Sequence, residues 1–274
     1  MFKKQFKIPI ILSIIVMILA IIASAGGIFI GDLYQDNVQT KAAWYGNDLV
    51  TLFVVVPLMI WALSSAARES YRAQLVWLGG LWYMVYNYIF YLYGAAFNNF
   101  FLLYVALFVL STYGLIFALI KLDTKRIAET FSTRTPVRRV SCYMVFFSLL
   151  LGGLWIAKSI GFIMTGQVPQ DILQTGHTTA MVYATDLALL MPATVLSGIL
   201  LWKREAWGYV LSTIVMMKCV MYSLVLLVMS AVAYLKIGKG DPYIILWSVL
   251  GTGAFLCLVS LLRSMKGKGA VFNG

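Results

Sequence analysis

Lys158, Asp186 and Lys218 stand inside, or at the edge of, long apolar runs of this 274-residue chain. A charged side chain in hydrocarbon costs several kcal/mol. Such residues therefore turn to a bundle interior, find a partner, and tend to mark ligand, ion or proton sites. Lys218 is the sharpest case. It falls about 12 residues into the run that starts near Trp207, or about 18 Å along a helix. That is close to the middle of a hydrocarbon core about 30 Å thick. Tyr222, four residues on, shares its face. Either a structural ion pair or a site for a ligand, anion or proton would account for the pair.

Asp186, in "MVYATDLALLMP", sits one turn inside the start of its run. Two roles are open to it. A carboxylate near a helix N-terminus can cap free N–H groups and meet the helix dipole, with Thr185 as an alternative cap. It can equally pair with Lys158, which has the opposite charge and a similar expected depth. Asp186, Leu190, Thr194 and Ser197 share a stripe that suggests a polar inward face. Asp48 occupies a comparable place in the first half, where helix capping is the expected role.

The segment "LWYMVYNYIFYLYG", residues 81–94, places Tyr83, Asn87 and Tyr91 on one face. Trp82, Tyr86 and Phe90 share the adjacent one. Aromatic belts belong at membrane interfaces, yet these phenols continue through the middle of the run and need hydrogen-bond partners there. Ordinary interhelical packing or an aromatic-lined cavity would satisfy them. The candidate site residues are thus Lys218, Tyr222, Asp186, Lys158, Asn87, Tyr83, Tyr86 and Tyr91.

His177 is the single histidine, and the segment around it could lie over a cavity mouth. Cys142, Cys219 and Cys257 are far apart and form no CxxC pair, so they read as small packed hydrophobes. HExxH, GxSxG and Walker patterns are all missing. No catalytic constellation, metal site or cofactor is expected.

These residues must be positioned by membrane helices. The chain is 62% hydrophobic and 11% charged, with a mean hydropathy of +0.89. That is far from soluble composition. It fits an all-α polytopic transmembrane bundle, since its apolar runs reach the length of about 20 residues that a helical span needs. A transmembrane β-barrel would show short alternating strands instead. Eight spans are expected, near 8–30, 47–66, 74–94, 98–120, 140–163, 182–202, 207–232 and 243–262. The N-terminal run, too long for a cleaved signal peptide, reads as a retained first helix.

The basic residues divide unevenly between the connections. One face takes Lys3, Lys4, Lys7, Arg68, Arg72, Lys121, Lys125, Arg126, Arg134, Arg138, Arg139, Lys203, Arg204, Arg263, Lys266 and Lys268. The other takes Lys41, Lys236 and Lys239. Sixteen against three puts both termini in the cytoplasm by the positive-inside rule. The formal charge of +11 then belongs to anionic lipid headgroups, not to nucleic acid. The expected location is a cell membrane, with the chain multi-pass in a prokaryotic plasma membrane, and oligomeric state is open.

The chain reads as one integral membrane domain of residues 1–274. The basic connection 121–139 divides it into halves, 1–135 and 136–274, that echo each other. Arg68-Glu69 returns as Arg204-Glu205, Gln35-Asp36 as Gln170-Asp171, Asp48 as Asp186, Pro57 as Pro192, and Ala23 and Gly27 as Ala157 and Gly161, at offsets of 134 to 138. A four-plus-four parallel repeat would follow. Ala23, Gly27 and Gly31, like Gly153, Ala157 and Gly161, are spaced as helix-packing seams.

The function that fits these features is a carrier or facilitator for a small amphipathic or anionic solute. The alternatives are a non-catalytic membrane binding or accessory protein, and an intramembrane enzyme acting on a lipid or isoprenoid. Beyond the lipid bilayer itself, the expected partner is a small-molecule or lipid ligand.

Overall fold

The structure, a computed structural model, describes residues 5–266. Lys3, Lys4 and Lys268 of the charge pattern lie outside them. The described chain is all-α and folds as a polytopic bundle. Its long helices are α1 (Lys7–Phe29), α2 (Val38–Ala66), α3 (Tyr71–Tyr93), α4 (Phe101–Ile120), α6 (Val137–Thr165), α8 (Met181–Trp202), α9 (Ala206–Ile237) and α10 (Ile244–Ser264). Two short helices, α5 (Thr124–Glu129) and α7 (Gln170–Thr175), lie in connections. Seven of the long helices are apolar and long enough to cross a membrane, as in an integral membrane protein. Helix α3 is of similar length but is rich in Tyr, Trp and polar residues, and it is buried on nearly all sides.

Several boundaries differ from the sequence expectation. Helix α2 starts at Val38, not near 47. Asn37 caps it by accepting from the Thr40 amide at 2.9 Å, and Thr40, Ala42, Trp44 and Gly46 are buried along its first turns. Polar residues in "VQTKAAWYGN" lower the hydropathy of a segment that is nevertheless helical, because packing outweighs propensity. Helices α6 and α9 also run past their expected ends, and each stops at a glycine in the left-handed conformation, Gly166 and Gly238.

Helices α2 and α8 each contain one π turn, Thr51–Val55 and Asp186–Leu190. A proline follows closely in both, Pro57 and Pro192. Proline lacks an N–H and its ring crowds the carbonyl four residues back. A widened turn relieves that crowding locally.

Helices α3 and α9 form the centre. Helix α9 packs on α2, α3, α8 and α10, while α1 packs on α2 and α4, and α6 on α8. The crossings depend on glycine. A Cβ at Gly46 would meet the Met229 backbone at 2.7 Å, so α2 and α9 touch main chain to main chain. The proposed seams are only partly seams. Ala23 is buried and Gly27 packs against Asp48 and Tyr34, but a Cβ at Gly31, Gly153 or Gly161 meets nothing within 4 Å. Gly153 and Ala157 are exposed on the outside of the bundle.

The connections gather at two ends. At one, Asn37 donates to the Gln174 carbonyl and Asp36 accepts from the Ala96 amide. At the other, the Gln5 amide reaches the Lys121 carbonyl, the Ser132 amide that of Ser264, and the Arg72 guanidinium that of Met265. This second end carries most of the basic residues.

Candidate functional site

A cavity of about 280 Å³ opens among α2, α3, α6, α8, α9 and α10. Its inner wall carries Tyr86 and Phe90 of α3, Trp155 of α6, Asp186 of α8, and Lys218 and Tyr222 of α9. Its mouth carries Gln39, Asp171, Gln174, His177 and Asp241, from the connections and helix ends. The 170–180 segment thus does lie at a cavity mouth, as its position suggested.

Lys218 is 1% exposed and Asp186 is 4% exposed. The Lys218 ammonium lies 3.1 Å from the centre of the Tyr86 ring and 4.8 Å from that of Tyr222. Aromatic faces attract a cation through the ring quadrupole, more strongly once it is desolvated. Asp186 takes the Tyr86 hydroxyl on Oδ1 and the Trp155 indole N–H, at 2.8 Å, on Oδ2. Tyr86 therefore touches both charges, ammonium on its face and carboxylate at its hydroxyl. Lys218 and Asp186 also act on each other electrostatically. Around them Tyr86, Phe90 and Tyr222 pack edge-on and stacked, with centroids 4.8–5.8 Å apart.

Neither capping role holds. Asp186 is the sixth residue of α8 and spends both oxygens on tertiary donors, while the helix start carries no side-chain cap. Asp48 lies ten residues after the first residue of α2, whose cap is Asn37. The Lys158–Asp186 pairing is also corrected. Lys158 Nζ is 2.9 Å from Asp171 Oδ2, and its ammonium lies 4.7 Å from the Tyr243 ring centre. The long stem of Lys158 carries its charge toward the mouth, where Asp171 waits on α7. Asp171 also accepts from the Tyr183 hydroxyl at 2.6 Å.

This outer pair is partly solvated, at 20% and 30% side-chain exposure. Exposed pairs contribute little, so Asp171→Asn should change stability by less than about 1 kcal/mol in thermal unfolding. A larger loss would mean that the pair clamps α7 to α6.

The expected site residues separate into two groups. Tyr86, Asp186, Lys218 and Tyr222 meet in the cavity. Tyr83, Asn87 and Tyr91 do not line it; they face α2 instead. The Asn47 amide donates to Asn87 Oδ1 at 2.8 Å, Thr51 and Tyr83 share a hydrogen bond of 2.8 Å, and Tyr91 donates to Asp48 at 2.9 Å. Sequence reasoning missed Trp155, Asp171 and Tyr183. Nothing local distinguishes a Trp that donates to a distant carboxylate from one that packs.

Among the described residues no group of His, Cys, Asp and Glu could hold a metal ion. The chain matches no protein-family model, no curated protein and no solved structure.

Proposed function

We propose that this chain is an eight-span membrane carrier or facilitator, with both termini cytoplasmic, that binds a small amphipathic or anionic solute in the Lys218 cavity. One observation carries the reading: a buried ammonium rests on aromatic faces, with its carboxylate held to one side by Tyr86 and Trp155. An incoming carboxylate or phosphate would find a desolvated cation, and its apolar part would find Phe90, Tyr222 and Leu226. The volume suits a small solute.

Helix α3 counts as the eighth span. It is 23 residues long and is covered by neighbouring helices, so its phenols and Asn87 need no lipid-compatible surface. The unequal charge of the two ends supports the orientation.

Two four-helix halves also fit the geometry, at one constant offset of 135. The π turns Thr51–Val55 and Asp186–Leu190 obey it. So do Pro57 and Pro192, and the two positive-φ turn residues Glu69 and Arg204. The first residues of α3 and α9, Tyr71 and Ala206, obey it as well. In that register "QDNVQT", 35–40, matches "QDILQT", 170–175. Gln39 donates to its own counterpart Gln174 at 3.4 Å, as residues beside a twofold axis do. Asp186 and Lys218 then correspond to Thr51 and Tyr83, which hydrogen-bond to each other. Only the second half carries the charged version of this pair. Rocking of the halves about the α3–α9 contact would give alternating access.

The convergence of Asp186, Lys218 and Tyr222 would also suit an intramembrane enzyme. The mouth is lined by Gln39, Asp171, Gln174 and His177, an opening toward water that favours a dissolved solute over a lipid. An accessory protein would have no need of a lined internal cavity.

The test is thermal unfolding of the detergent-purified protein with a panel of small aryl and alkyl carboxylates and phosphates. A ligand at 100 times its Kd stabilises by about 2.7 kcal/mol. At least one member should do so, and Lys218→Met should abolish the effect. If no member stabilises the wild type, or if the variant responds equally, the carrier site is not here.

A further inference from the structure

Asp48 is a second buried carboxylate, which does not line the cavity and differs from Asp186 in its surroundings. It is 2% exposed. Tyr34 donates to its Oδ2 at 2.5 Å and Tyr91 to its Oδ1 at 2.9 Å. Among the described residues no cation forms an ion pair with it. From α1 it faces Ser24 and Gly27, from α3 Tyr88 and Tyr91, from α4 Tyr104, and from the loop before α2 Tyr34. Tyr83 of α3 lies nearby, and Asp36 faces the cluster through Tyr104. One turn earlier on α2, Tyr45 holds the α9 lysine Lys236, whose ammonium rests on its ring at 3.6 Å.

A carboxylate removed from water without a cation is costly, and two phenolic hydrogen bonds offset only part of that cost. Binding a proton removes the charge altogether. A metal ion would need several oxygens around open space. Here the space is filled: Asp48 Oδ2 occupies the volume that a Cβ on Gly27 would take, 1.9 Å from it. We propose that Asp48 is an intramembrane proton-binding site, served by Tyr34, Tyr104 and Asp36 as a relay from the surface.

The hydroxyls needed for a relay are present. Tyr104 and Ser24 are both buried beside the Asp48–Tyr34 pair and interact with it, and neither hydroxyl is committed to a well-formed hydrogen bond. When Asp48 takes up a proton on Oδ2, that O–H donates to the Tyr34 oxygen. The Tyr34 hydrogen then turns away toward the neighbouring Tyr104 oxygen. One proton is gained, no other bond changes, and each acceptor is already in place. Asp36 faces Tyr104 electrostatically, and its own Oδ2 is buried with no partner. Its residue also lines a surface pocket with Gln35, Asn37 and Gly94, so the chain of hydroxyls ends at water. A proton site of this kind would couple the protein to a proton gradient whether or not the Lys218 cavity carries a solute.

The experiment is infrared difference spectroscopy of the full chain in phosphatidylcholine vesicles, titrated over about pH 4 to 10. A protonated-carboxyl C=O band should appear and vanish reversibly with pH. It should be lost in Asp48→Asn and retained in Asp186→Asn. Tyr91→Phe, which removes one donor and keeps the carboxyl, should retain the band and shift its frequency. This variant carries the assignment if Asp48→Asn does not fold. The proposal fails if Asp48→Asn leaves the titrating spectrum unchanged, or if Tyr91→Phe leaves the band where it was. It fails also if replacing choline chloride by sodium chloride at constant pH shifts the carboxylate bands, since the occupant would then be a metal cation.

Discussion

Replacing Asp186 by alanine should cost about 3–5 kcal/mol of stability, because two buried donors and a buried ammonium lose their compensation together. Three groups lose their counterpart at once. The Tyr86 hydroxyl and the Trp155 indole N–H lose their acceptor, and the Lys218 ammonium loses the nearby negative charge. Each of the neutral donors alone costs about 1–3 kcal/mol when stranded. Lys218→Met should cost less, though not nothing, since the buried carboxylate it leaves behind is only partly compensated. Its carboxylate neighbour keeps two donors, and methionine fills the stem's volume against the aromatic rings. The double variant Asp186→Ala/Lys218→Met should therefore be more stable than Asp186→Ala alone. Denaturant unfolding in detergent micelles reads all three. A double variant no better than the single would show that Lys218 does not depend on Asp186, and the cavity's electrostatic logic would need another basis.

The second large effect belongs to packing. Gly46→Leu should destabilise by more than about 3 kcal/mol, beyond the usual range for overpacking. The atoms in the way are the Met229 Cα at 2.7 Å and its amide nitrogen at 2.9 Å. A flexible side chain can swing aside, but a helix backbone moves only as a unit. Helix α2 would be levered off α9, and these two helices join the first half of the chain to the second. Gly153→Ala is the matched control, because nothing lies within 4 Å of a Cβ there. It should be neutral or stabilise by up to about 1 kcal/mol through helix propensity. Thermal unfolding of both variants decides the matter. Equal behaviour would mean that the α2–α9 crossing bears no load.

Residue types alone were enough to single out Lys218, and the reason is general. An ammonium in the middle of a long apolar run has to turn inward, whatever its neighbours prove to be. The burial of the Asp186, Leu190, Thr194 and Ser197 stripe was legible in the same way, from spacing along one helix. So were the apolar helices, since their length is set by the bilayer they suit. Helix α3 marks where this reasoning weakened. Its two aromatic faces were distinguished correctly by spacing, but which face met the cavity was not. A helix covered on all sides shows little contrast between an inner and an outer stripe.

Partner choice was hidden for a different reason. Lys158 was matched to Asp186 on charge and depth, yet it reaches Asp171. The indole of Trp155 and the hydroxyl of Tyr86 reach Asp186 first. Asp48 looked like a cap because the helix ahead of it was too polar to recognise. The repeat shows the same limit. Matching Asp48 to Asp186 implied an offset of 138, whereas the two π turns are 135 apart.

By itself, then, the order of residues determined that this chain forms long apolar helices, that its charge gathers in particular connections, and that Lys218 and Asp186 are interior. Those outcomes follow from the cost of placing each residue type in oil or water, which is a property of the residue. The tertiary structure alone decided which donor meets which acceptor, that Asp48 is closed in by tyrosines, and which face of α3 lines the cavity. Such pairings depend on angstrom-scale approach between groups tens of residues apart, and close helix crossings such as Gly46 against Met229 set that approach.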